Sequence, residues 1–163
     1  MKTNITMKTG MMAILMGFAL FQGPSGSGIS NAIAEEAKSP TEIVMYKSPT
    51  CSCCGNWAEH LRGAGFTVIE KKREDMDAIK AEFGVPEQLS SCHTAVIDGY
   101  IIEGHVPAAD VKRLLKERPK VAGLTAPGMP MKSPGMQNVG QDPKNYNVLA
   151  FDKDGTAKVF SHY

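Results

Sequence analysis

The stretch Glu42-Ile43-Val44-Met45-Tyr46-Lys47-Ser48-Pro49-Thr50-Cys51-Ser52-Cys53-Cys54-Gly55-Asn56-Trp57 decides how the chain is read. Glu42 to Tyr46 is a largely apolar run of strand length. Ser48-Pro49-Thr50 breaks it. Cys53 to Ala64 then carries Trp57, Leu61 and Ala64 at helical spacing and stops near Gly63 and Gly65. Three of the four cysteines therefore fall on a strand-to-helix turn, at a helix N-terminus. There the helix dipole and the unpaired backbone N–H groups favour thiolate over thiol. Thiolate is the form that binds metal and attacks disulfides.

Toward the N-terminus, Lys2 and Lys8 precede the apolar run Gly10 to Phe21, which is 12 residues long and short for a bilayer span. A Gly/Ser/Pro stretch and Ala32-Ile33-Ala34 follow, the pattern of a secretory signal peptide and its cleavage site. The expected organisation is a leader at 1–34, a polar linker at 35–40 and one domain at 41–163. Cleavage after Ala34 leaves 129 residues with 16 basic and 17 acidic side chains, net −1. That balance points away from nucleic acid and membrane surfaces. No later apolar run is long enough to span a membrane. The destination is oxidising, where four cysteines pair as disulfides by default.

Toward the C-terminus, Phe66 to Glu70 reads as a second strand and Lys71 to Asp75 as a charged connection. Met76, Ile79, Lys80 and Phe83 mark a second helix ended by Gly84, with Pro86 beyond. Thr94 to Ile97 and Tyr100 to Glu103 are strands joined by Asp98-Gly99, a two-residue hairpin signal. Pro107 starts a third helix, with Val111, Leu114 and Leu115 inward, and Pro119 ends it. Residues 120–147 read as a long Gly/Pro/Met loop, a length that is usually functional or disordered. Val148 to Phe151 and Ala157 to Ser161 form a final hairpin. The order is β-α-β-α-β-β-α, that of an α/β thioredoxin-like fold, with the thiols where such folds keep redox cysteines.

Cys51 and Cys54 have C-x-x-C spacing, so a thiol-disulfide oxidoreductase is one reading. Cys53 intrudes between them and would divert exchange. Clustered thiolates suit soft ions such as Cu(I), with zinc as the competitor. Structural disulfides are the third reading. Cys92-His93 precedes the third strand, where a thioredoxin-like fold carries a cis-proline that binds substrate. A potential ligand stands there instead, which favours a four-thiolate site. His93 is a ligand or a support for one; His105 reads as structural or supporting, and His60 as a surface residue. Met129, Met131 and Met136 are either soft thioether ligands or a cover for apolar surface.

Four motifs in order resemble the CopG-type periplasmic copper-resistance family: Tyr46-Lys47-Ser48-Pro49-Thr50-Cys51-Ser52-Cys53-Cys54-Gly55, Ser91-Cys92-His93-Thr94-Ala95-Val96, Glu103-Gly104-His105-Val106-Pro107-Ala108 and Pro127-Gly128-Met129-Pro130. The resemblance runs from about Thr41 to the C-terminus. It implies a thioredoxin-like domain that binds several copper ions through bridging cysteines in copper tolerance. By motif position those cysteines are Cys51, Cys53, Cys54 and Cys92. It also implies a periplasmic location, with copper ions and other copper-handling proteins as partners. Storage, transfer and redox conversion all remain open.

Overall fold

A computed structural model describes residues 41–138 and 140–163. The expected leader and linker lie outside the described residues. The elements are β1 (Glu42–Lys47), α1 (Ser52–Gly63), β2 (Thr67–Lys72), α2 (Met76–Phe83), β3 (His93–Ile97), β4 (Tyr100–Gly104), α3 (Ala108–Glu117), β5 (Gly123–Ala126), β6 (Asn147–Phe151) and β7 (Ala157–His162), with one 3-10 turn at Glu87–Leu89. Among the described residues, all seven strands form one mixed sheet in the order β2-β1-β3-β4-β5-β6-β7.

The pairings follow from the connections. β1 and β2 are parallel across α1, and β4 and β5 are parallel across α3. β3 and β4 are antiparallel across Asp98-Gly99, where both residues adopt positive φ, at 54° and 85°. This is the conformation of the tight primed turns that match strand twist. β3 also runs antiparallel to β1, with Lys47 opposite His93, so the end of β1 and the start of β3 meet at one edge of the site.

The sheet is covered on both faces. Ile43 and Met45 of β1 join Trp57, Ala58 and Leu61 of α1 and Val111 and Leu114 of α3 in the main core. Ile101 lies in a second cluster with Val85, Leu89 and Phe151, against which Phe83 packs, while its neighbour Ile102 belongs to the first. That split is the period-2 alternation of a strand. α2 ends on Gly84 at φ 70°, the left-handed C-cap that glycine supplies.

Two sequence expectations need correction. Lys71 and Lys72, read as a connection, continue β2. β2 is an edge strand, and charges there discourage pairing with other chains. The expected 120–147 loop contains β5, whose four residues are all buried. A short strand buried on both sides shows no alternation, and its first residue is a glycine for a packing reason: a Cβ on Gly123 would lie 1.9 Å from the Ile101 carbonyl oxygen. Among the described residues no helix is long and apolar enough to cross a membrane.

Candidate metal centre

Cys51 is the N-cap of α1. Its φ of −74° and ψ of 96° are extended, and its Sγ accepts the Cys54 N–H at 3.3 Å, taking the role an oxygen usually fills at a helix start. Cys51 and Cys54 are joined as a disulfide, with Cα atoms 5.5 Å apart, and Cys53 and Cys92 are free. Cys53 Sγ lies 3.5 Å from Cys51 Sγ. From the other side, the Cys92 carbonyl oxygen comes to 3.9 Å of Cys54 Sγ. The four Sγ atoms all lie within 4.8 Å of one another, as do the ligand atoms of Cys54, Cys92, His93 and His105. Cys92 thus stands beside the C-x-x-C turn although 38 residues separate it from Cys54. Sulfurs at this spacing suit a shared soft ion once the disulfide is reduced.

Two imidazoles back this cluster. His105 Nδ1 lies 2.6 Å from the Pro134 carbonyl, which only accepts, so Nδ1 carries the proton. Nε2 therefore presents its lone pair to Cys92 Sγ, 2.9 Å away. A ring fixed in one tautomer by its other nitrogen is the usual setting of a metal-binding histidine. His93 is fully buried, with Nδ1 3.6 Å from Cys92 Sγ and Nε2 without a hydrogen-bond partner among the described residues. An orphaned buried nitrogen is uncommon, and it belongs to a ring whose other nitrogen faces the Cys92 sulfur. The His93 ring lies 4.3 Å from the ring of Trp57, whose indole donates to the Val106 carbonyl at 2.8 Å.

The electrostatics keep both rings neutral. Burial, then the neighbouring His105, holds His93 well below its ordinary value, and burial lowers His105. Neutral imidazole is the form that coordinates metal. Burial, reinforced by nearby Cys53, pushes the Cys92 thiol up to about 12. Without metal this thiol holds its proton at neutral pH, and a bound ion must displace it.

A strap crosses the site between β5 and β6. Gly128 bridges to Ser91, its N–H donating to Ser90 O at 2.9 Å. Gly135, at φ 88°, rests on the first turn of α1, where a Cβ would meet Cys53 O at 2.7 Å and Trp57 N at 2.8 Å. Asn56 Nδ2 donates to Gly135 O at 3.4 Å. Met129 and Met131 are 58% and 71% exposed and face solvent, while Met136 is half-buried. His60 is not merely a surface residue: its Nε2 accepts the Ala108 N–H at 3.0 Å and so caps α3.

Sequence reasoning passed over one group beside the site. Glu103 is fully buried and paired with Lys80 of α2, and it binds the residues that flank Cys92-His93. The signals were present: a lone acid in an apolar strand, and a lysine on the apolar stripe of Met76, Ile79 and Phe83.

Fold and site together define an α/β domain that gathers thiols and imidazoles, a soft-metal ligand set, at the N-terminus of its first helix. Two solved structures titled copper resistance protein CopG, form 2 and form 1, are similar to this chain at 43% identity each. They match over 76% of this chain and 98% of theirs, with TM-scores of 0.70 and 0.69. A family described as proteins of unknown function, DUF411, matches residues 89–136. No curated protein matches. The chain belongs to the CopG copper-resistance family.

Proposed function

We propose that this chain is an exported copper-binding protein that holds several Cu(I) ions through Cys51, Cys53, Cys54 and Cys92 and serves copper tolerance in the periplasm. The observation that carries the reading is the convergence of four sulfurs within 4.8 Å, backed by two neutral imidazoles, in a chain whose solved relatives are named for copper resistance. The supporting frame is a thioredoxin-like arrangement, with the thiols after β1 and Cys92 at the start of the adjacent β3. Loading requires the Cys51–Cys54 disulfide to open, which takes two electrons and two protons from an external dithiol that is itself oxidised to a disulfide. Four thiolates then carry four negative charges, and several monovalent ions neutralise them. His105 and His93 act as supplementary or supporting ligands. Met129, Met131 and Met136 tune the rate at which copper comes and goes. The signal-peptide pattern of residues 1–34 supports export.

The disulfide itself favours a second reading, a thiol-disulfide oxidoreductase acting through Cys51 and Cys54. Cys53, 3.5 Å from Cys51, competes with any incoming substrate thiol, so poor insulin reduction is expected. Metal analysis of protein purified from its own compartment, without added metal, tests the proposal. Copper in excess of zinc supports it. Zinc alone, or metal-free protein with thioredoxin-like turnover, refutes it.

A further inference from the structure

We infer that the buried carboxylate of Glu103, charge-balanced by Lys80, is a positioning residue that sets where the Cys92 thiol stands. This rests on reading Cys92 as a copper ligand. Glu103 lies on β4 with no solvent exposure, and its bonds are specific. Oε1 accepts from Lys80 Nζ and from the Ser91 N–H at 2.7 Å; Oε2 accepts from Thr94 Oγ1 at 2.7 Å. Lys80 Nζ also donates to Thr94 Oγ1 at 3.2 Å. The carboxylate therefore grips the residues on both sides of Cys92-His93.

The neighbouring contacts complete the clamp. Ser91 Oγ donates to the Gly128 carbonyl. The residue after Glu103 is Gly104, at φ 72°, where a Cβ would come within 2.4 Å of Ser91 Cβ. Only glycine leaves room for Ser91 to approach β4 so closely. No peptide bond among the described residues is cis, so the segment 90–94 is not fixed by the device that a thioredoxin-like fold uses at this place. Polar bonds to a buried carboxylate fix it instead.

Stability alone does not account for this pair. A buried ion pair is a poor source of stability, and well-packed apolar residues often replace one without loss. What an apolar pair does not supply is an acceptor for the Ser91 N–H. The geometry of Cys92 is the property that depends on it.

The test compares Lys80→Met/Glu103→Gln, which keeps an acceptor for Ser91 and removes both charges, with Lys80→Met/Glu103→Leu, which removes the acceptor. Cys92 is read alone, without copper, by its alkylation rate in a Cys51→Ser/Cys53→Ser/Cys54→Ser background. Copper is read with all four cysteines present, by competition against a Cu(I) chelator. The Gln variant is expected to match its parent in both. The Leu variant is expected to be alkylated severalfold faster and to bind Cu(I) about 10–100-fold more weakly, as for loss of other groups that orient ligands. A folded Leu variant with the alkylation rate of the Gln variant overturns the inference. If the Leu variant does not fold, the Ser91 amide of the unaltered chain decides: slow hydrogen exchange and a shift on Glu103→Gln support the clamp, and free exchange overturns it. Alkylation needs no copper. Full copper binding by Cys92→Ser would thus refute the ligand role alone, and the alkylation comparison would still decide the positioning.

Discussion

Gly135→Ala tests whether the strap is pressed onto the thiol helix as described. Two costs add. Gly135 sits at φ 88°, where an L-residue pays about 1–2 kcal/mol for the left-handed conformation. The new methyl also meets Cys53 O at 2.7 Å and Trp57 N at 2.8 Å, both backbone atoms that a rotamer change cannot move. Overpacking of this kind costs about 1–3 kcal/mol. The sum is about 2–5 kcal/mol, or a fall in Tm of roughly 10–20 °C for a domain of this size. Gly84→Ala is the control. It has a similar φ of 70° and nothing within 4 Å of the added carbon, so it bears the conformational cost alone. Urea unfolding of the copper-free chain measures both. The strap's Pro134 carbonyl holds His105, so Gly135→Ala is also expected to weaken copper binding, whereas Gly84→Ala leaves it intact. If Gly135→Ala costs no more than Gly84→Ala, the strap does not lie on α1 and the contact argument fails.

Removal of the His105 ring by Ala should weaken Cu(I) binding by about 10–100-fold in chelator competition, because Nε2 faces Cys92. His60→Ala should instead cost about 1 kcal/mol of stability through loss of the α3 cap and leave copper binding unchanged. Met129→Ala should alter only the rate of copper exchange, since its side chain is 58% exposed. For pH, His93, His105 and His60 are all held below their ordinary 6.5 by burial, so their contribution is present above pH 6.5 and is lost as pH falls. Glu103, raised above 4.5 by burial, has the opposite sign, its contribution complete below pH 4.5 and lost as pH rises. Three imidazoles act against one carboxyl, and any single group that stays neutral in the folded chain while it gains a proton in the unfolded one changes stability by at most about 1.4 kcal/mol per pH unit. Thermal scans of the copper-free chain should therefore show Tm falling from pH 6.5 to 5.5; a flat or rising Tm would contradict the neutral, buried rings.

The chain betrays its fold where local chemistry is strong. Asp98-Gly99 marks its hairpin because few dipeptides accept two positive φ values. Gly84 and Pro119 mark helix ends for similar steric reasons. β5 escapes because Gly123 to Ala126 is short, buried throughout and set among residues that read as loop. The site divides along the same line. The C-x-x-C turn is local and legible, and the pairing of Cys92 with it follows once β3 is placed beside β1. The tautomer of His105 is not legible, because it is fixed by Pro134, 29 residues away. Nor is the Lys80–Glu103 pair, since each residue alone looks like an ordinary charge and only the packing of α2 against β1 and β3 brings Lys80 to Glu103 of the adjacent β4.

The central claim is that Cys51, Cys53, Cys54 and Cys92 act together as a site for several copper ions. The most direct measurement is a Cu(I) titration of the reduced chain under anaerobic conditions, with bound copper counted per chain and Zn(II) present as competitor. The account predicts more than one Cu(I) per chain, retained against Zn(II), and a heavy loss in both Cys53→Ser and Cys92→Ser. A limit of one Cu(I), a preference for Zn(II), or full binding by Cys92→Ser would contradict it.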